Sequence, residues 1–125
     1  MIRGIDHIEL IVRDFDEYID FLQKLGFELL THTKHHGESA ELKPPGDDQP
    51  IFEIHQATGE EVIGVNHIAF RVDDVNDVHG SLKDLGIAFS GPPKLIKETG
   101  RTNINLRDPD GWRLQLVASD RIQPD

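Results

Sequence analysis

Two histidines, His7 and His67, occupy the same position in a segment that occurs twice in this chain, and each half ends on a strand bearing an oxygen donor, Glu53 after His7 and Gln115 after His67. Imidazole with carboxylate suits Zn, Ni, Mn, Fe or Co, and an amide oxygen is a weaker but admissible ligand. Such a set, with three or four protein donors, leaves open positions on an octahedral ion for water or substrate. The chain has no cysteine, which excludes disulfides, thiolate catalysis and cysteine-type zinc sites together. A metal in this protein therefore needs His, carboxylate or amide ligands.

The repeat sets the frame. Gly4 to Gly26 reads against Gly64 to Gly86 at a constant offset of 60 without a gap, with 8 identities in 23 positions, the two histidines among them. This is one module duplicated within the chain, with repeats 1–60 and 61–125. Two equivalent modules related by a pseudo two-fold would bring their histidines to equivalent positions about one axis. At 125 residues the chain is too short for two independent domains of ordinary size, so the expectation is a single fused domain, 1–125.

Each module reads as strand, helix, strand, strand, strand. Gly4 to Arg13 alternates, with Ile8, Leu10 and Val12 on one side and His7, Glu9, Ile11 and Arg13 on the other. Asp14 with Glu17, and Asp74 with Asp77, are helix-start signals, and Gly26 and Gly86 are stops. The expected apolar stripes are Tyr18, Leu22 and Leu25 in the first helix and Val75, Val78, Leu82 and Leu85 in the second. Further strands are predicted over Phe27–Lys34, Glu38–Lys43 and Pro50–His55, then Ala88–Pro92, Arg101–Arg107 and Trp112–Val117. Alternation along these strands puts Glu41 and Glu53 on the side of His7, and Asn103, Asn105 and Gln115 on the side of His67, with Trp112 pointing to the core. The expected fold class is α+β, two tandem βαβββ modules in a curled mixed sheet with a metal-binding cup.

A net charge of −10 disfavours nucleic acid and anionic membrane, which leaves small molecules or protein as partners. No apolar run reaches membrane-spanning length and the N-terminus lacks a basic-then-apolar pattern, so a cytoplasmic protein is expected. His32, His35 and His36 read as an exposed hairpin tip beside Gly37, His55 as a neighbour of Glu53, and His79 as a bystander. Glu9 and Arg71 read either as an ion pair or as a substrate clamp. The tail after Ser119 is expected to fray.

DHIEL at Asp6 to Leu10, NHIAFRV at Asn66 to Val72, LGF at Leu25 to Phe27, LGI at Leu85 to Ile87 and RDPDGWRLQL at Arg107 to Leu116 resemble the vicinal oxygen chelate superfamily, over nearly the whole chain. That group includes glyoxalase I, methylmalonyl-CoA epimerase, extradiol dioxygenases, fosfomycin resistance proteins and bleomycin-binding proteins. The resemblance implies His7, Glu53, His67 and Gln115 as ligands of one divalent ion (Zn, Ni, Co, Mn or Fe). Gln115 stands where a glutamate is commonest, and an amide cannot accept a proton. The implied reaction is proton transfer next to a carbonyl on a small chelated substrate, a lyase or isomerase of glyoxalase I or epimerase type, with Glu53 as base and Glu41 as second candidate. Arg71, and Arg101 in the ETGR loop, would hold an anionic substrate tail. Related modules often pair, so a homodimer is expected. The alternatives from other classes are a metal-free bleomycin-resistance-like binder and an Fe(II) extradiol dioxygenase using two histidines and one carboxylate.

Overall fold

The structure is a computed structural model that describes residues 1–34, 37–97 and 100–118; His35, His36 and the tail after Ala118 lie outside the described residues. The elements are β1 (Ile2–Val12), α1 (Phe15–Lys24), β2 (Glu28–Thr33), β3 (Ser39–Lys43), β4 (Ile51–Gln56), β5 (Gly64–Val72), α2 (Val75–Asp84), β6 (Lys94–Ile96), β7 (Arg101–Arg107) and β8 (Arg113–Ala118). The protein is α+β with a mixed sheet of eight strands. No helix among the described residues is long and apolar enough to cross a membrane.

The chain divides into two compact units, an N-unit of His7–Asn66 and a C-unit of Met1–Asp6 with the chain from His67 onward. The first residues of β1 join the C-unit through side chains: Arg3 donates to Asp73 at 2.6 and 2.8 Å, and Arg101 donates to Asp6 at 2.7 Å. In the N-unit the strands run β2-β3-β4-β1, with β1 parallel to β4 and the other pairs antiparallel. In the C-unit they run β1-β5-β8-β7-β6, with β5 parallel to β8 and the hairpin pairs β8-β7 and β7-β6 antiparallel. The register repeats as well: Ile8 lies opposite Phe52, and Ile68 opposite Leu114.

Both helices start as their sequence dictates. The Asp14 carboxylate accepts the Glu17 N–H and the Asp74 carboxylate accepts the Asp77 N–H, each at 3.1 Å, satisfying donors that have no partner inside the helix. Asp14→Ala and Asp74→Ala should each cost about 1 kcal/mol of stability, read as a lower urea midpoint with unchanged slope.

The buried stripe of α1 is Phe15, Ile19 and Leu22, with Tyr18 partly buried against it, so that of the expected Tyr18, Leu22 and Leu25 only Leu25 is off the core; the stripe packs with Leu42 and Ile54, which are fully buried. Leu25 and Leu85 are exposed, because each is the C-cap of its helix and has left the helical face. In the C-unit, Val75 and Val78 of α2 pack with Val72, Ile104 and Leu116.

Two further expectations are corrected. Ala88–Pro92 is not a strand: Phe89 makes one isolated bridge to Leu106, and the edge strand is Lys94–Ile96. Pro92 and Pro93 lack the N–H that a ladder requires, so pairing begins only after them. Trp112 is 65% exposed and not core. It belongs to the turn, where its N–H donates to the Asp108 carboxylate at 2.7 Å, and alternation begins only at Arg113.

Candidate active site

In the N-unit His7 lies opposite Ile51, and Glu53 is two residues further along β4 on the same face. His7 is 5% exposed, and its Nε2 stands 3.7 Å from Glu53 Oε2. That separation is wider than a hydrogen bond and near the roughly 3–3.5 Å between two donors on one ion at about 2.1 Å each. Glu53 also has Glu9 of β1 opposite it on one side and Glu41 of β3 on the other. Three carboxylates therefore form a row across β1, β4 and β3, one strand spacing of about 4.8 Å apart. The Thr31 hydroxyl donates to Glu41 Oε1 at 3.2 Å.

One step along the same face, the buried ring of His55 lies between Ser39 Oγ, 3.1 Å from Nδ1, and Glu61 Oε1, 3.3 Å from Nε2. Glu61 is held below the usual carboxylate range, first by the hydrogen bond from the Thr58 hydroxyl and then by the Thr58 N–H. The cluster anchors the start of the segment that joins the repeats to β3 and β4.

The C-unit repeats the geometry with different chemistry. The β5–β8 ladder, with Ala69 opposite Gln115, places His67 one step diagonal to Gln115, as His7 is to Glu53. His67 and Gln115 are both buried. Gln115 Nε2 donates to Asn105 Oδ1 at 3.3 Å, so the amide oxygen, the atom that would ligate a metal, is turned to the opposite side. The row that reads Glu9, Glu53, Glu41 in the N-unit reads Ala69, Gln115, Asn105 in the C-unit.

Arg71 is exposed at the end of β5, with its guanidinium close to Gly4, where an added Cβ would meet Nη2 at 3.3 Å. Arg101 is not in an open loop. It is 6% exposed, donates to Asp6 at 2.7 Å and to the Ala118 carbonyl at 2.9 and 3.2 Å, and ties together the ends of β7 and β8 and the start of β1. Among the described residues no group of three or more histidines and acidic side chains is gathered at metal-binding distances; each unit presents its own pair of donors.

Sequence reasoning passed over Glu9 and Asn105 as members of these rows. Asn105 lies opposite Gln115 because the β7–β8 loop holds five residues, Asp108–Trp112; a turn of Asp108–Gly111 alone would have set Asn105 against Leu114. Glu9 shares alternation with His7, but only the β1–β4 register aligns it with Glu53. His32 stacks on Phe15 with ring centroids 5.1 Å apart and contacts Glu38, while His79 packs edge-on to Phe89 at 4.7 Å, so neither is idle.

Residues 4–116 match the family model described as Glyoxalase/Bleomycin resistance protein/Dioxygenase superfamily. The chain belongs to that superfamily. No curated protein matches it. Among solved structures, Streptomyces coelicolor methylmalonyl-CoA epimerase in complex with 2-nitronate-propionyl-CoA is 24% identical, with 95% of this chain and 99% of that one covered and a TM-score of 0.78. Methylmalonyl-CoA epimerase from Mycobacterium tuberculosis is 18% identical over 95% and 89%, at 0.80. A hypothetical protein from Bacillus halodurans is 17% identical over 97% of each chain, at 0.76. At these identities the likeness is one of fold, and the superfamily's chemistry must be argued from the side chains.

Proposed function

We propose that the protein is a metal-dependent isomerase or lyase that moves a proton next to a carbonyl on a small oxygenated substrate. Its cofactor in this reading is one divalent ion, Zn, Ni, Co, Mn or Fe, with His7, Glu53, His67 and Gln115 as protein ligands. The observation that supports it most is the His7–Glu53 pair at 3.7 Å, together with the same diagonal register for His67 and Gln115. Both histidines are also buried, at matched positions of the two repeats.

When bound, the ion supplies Lewis-acid stabilisation of the negative charge that builds on two vicinal substrate oxygens. Glu53 removes the proton from the adjacent carbon, and Glu41, steadied by the Thr31 hydroxyl, is the second acid/base candidate. Gln115 and Asn105 orient without accepting protons. With Arg101 engaged by Asp6 and Ala118, the anionic end of a substrate falls to Arg71. The epimerase complexes with CoA compounds among the similar structures make acyl-CoA thioesters one class to test, and hemithioacetals are the other. A homodimer is part of this reading and is checked by sedimentation.

Purified protein loaded with Co, Ni, Zn, Mn or Fe should hold one ion per chain. It should exchange the carbon-bound proton of a 2-oxo thioester or hemithioacetal, and His7→Ala or His67→Ala should lower metal content by at least ten-fold. Absence of metal after supplementation, with tight binding of an apolar ligand, would instead select the metal-free binder. Oxygen uptake on catechols with Fe(II) would select the dioxygenase.

A further inference from the structure

The N-unit holds a second array of polar side chains that the proton-transfer reading leaves unused. Ser39 of β3 and His55 of β4 lie directly opposite each other, two residues along the same face from Glu41 and Glu53. The His55 ring is buried, and buried Ile11 of β1 lies opposite it on the other side. Nδ1 stands 3.1 Å from the hydroxyl of half-buried Ser39, and Nε2 stands 3.3 Å from Glu61 Oε1. Glu61 is itself fixed. The Thr58 hydroxyl and N–H donate to its Oε1 at 2.7 and 2.8 Å and hold the carboxyl below its usual range.

An ionised carboxylate only accepts, so Nε2 carries the hydrogen, and in the neutral ring Nδ1 is left as the acceptor facing Ser39 Oγ. The contact to Glu61 is enough to anchor the segment after β4. The hydroxyl at the other nitrogen adds something else: a row of nucleophile, base and orienting acid, the arrangement that activates a serine. We infer that Ser39 is a nucleophile that takes the acyl group of a small uncharged carboxylic ester, with His55 as its base and Glu61 as a positioning residue, which gives the protein an esterase activity. This goes beyond the proton-transfer reading and uses none of its four ligands. Ser39 Oγ bonds to the ester carbonyl carbon while its proton passes to His55 Nδ1; the bond from that carbon to the alcohol oxygen breaks, and the departing oxygen keeps the electron pair and takes the proton. Water then attacks the acyl-serine and gives one proton to His55, which returns it to Ser39 Oγ as the acid leaves. No oxidant or reductant takes part. The uncharged class follows from the neighbours, since Glu41 and Glu53 on the same face and Glu61 behind the ring repel an anionic acyl group.

The test uses the purified protein with para-nitrophenyl acetate, followed by release of nitrophenolate, and with a neutral fluorophosphonate, whose serine adduct does not turn over and is mapped by peptide mass spectrometry. The expected adduct is one per chain, on Ser39. Ser39→Ala should remove it, His55→Gln should slow acylation about 100-fold, and Glu61→Gln, which keeps an acceptor for Nε2, should lower kcat about ten-fold with KM unchanged. A merely loosened segment would move both constants. The anionic para-nitrophenyl hemisuccinate should react about ten-fold more slowly than the acetate, and an equal rate overturns the uncharged class. Label found only on lysines or the N-terminus, or labelling of Ser39→Ala at the original rate, overturns the inference. Ester hydrolysis with Ser39 unlabelled, as a metal-bound hydroxide would give, overturns it as well and leaves the proton-transfer reading intact. Should Ser39→Ala fail to fold, the adduct map of the unaltered protein decides alone.

Discussion

Glu53→Gln should lower the rate of proton exchange by about 10²–10⁴, equivalent to roughly 3–5 kcal/mol in the barrier, while KM stays within a few-fold of its original value. The change keeps the size of the side chain and an oxygen able to approach a metal, and removes only the capacity to take a proton. Metal content should therefore fall much less than with His7→Ala, and that contrast separates a base from a mere ligand. Glu41→Gln should cost less, because Glu41 lies one strand further from His7. Exchange measured by loss of the substrate proton signal, alongside metal analysis of each variant, decides the assignment. A larger loss in Glu41→Gln than in Glu53→Gln would make Glu41 the base.

Asp6→Asn should destabilise the fold by about 3–5 kcal/mol, since it leaves a buried guanidinium facing a neutral amide. The side chains of Asp6 and Arg101 are only 4% and 7% exposed and meet at 2.7 Å. For a chain of this size the loss corresponds to a fall of roughly 10–20 °C in Tm. The pair also ties the first residue of β7 to the N-terminal half of β1, so the consequence is wider than one contact. Replacing both partners, as in Asp6→Asn with Arg101→Leu, should recover much of the loss, because no charge is then left buried. Thermal melts of the single and double variants read the difference directly. A single-variant cost below about 0.5 kcal/mol would mean that water reaches the pair and that the two charges are solvated.

The value of the pair was hidden in the sequence for a physical reason. Asp6 and Arg101 are separated by 95 positions, and no periodicity relates residues that far apart. Read locally, Arg101 follows Gly100 in a stretch that looks like a loop, and an arginine there suggests an open anion site. The fold draws it inward because the Ala118 carbonyl and the Asp6 carboxylate together satisfy its donors. Trp112 went the other way. Read as the first residue of a strand it alternates toward the core, but the Asp108 carboxylate holds its backbone N–H in the turn and the ring is exposed.

What the chain alone determined is whatever depends on neighbours a few residues away. The duplicated segment, the carboxylate caps at Asp14 and Asp74, the alternation that sorts His7 from Ile8, and the tight turn after Arg107 all follow from local backbone geometry and side-chain reach. Tertiary structure alone decided which strands lie side by side and in what register. That register aligns Glu9 and Glu41 on either side of Glu53, and it sets Asn105 against the amide of Gln115. It is fixed by the summed packing of Leu42, Ile54, Ile104 and Leu116 against the helices, and a slip of one residue would turn every one of these side chains to the other face.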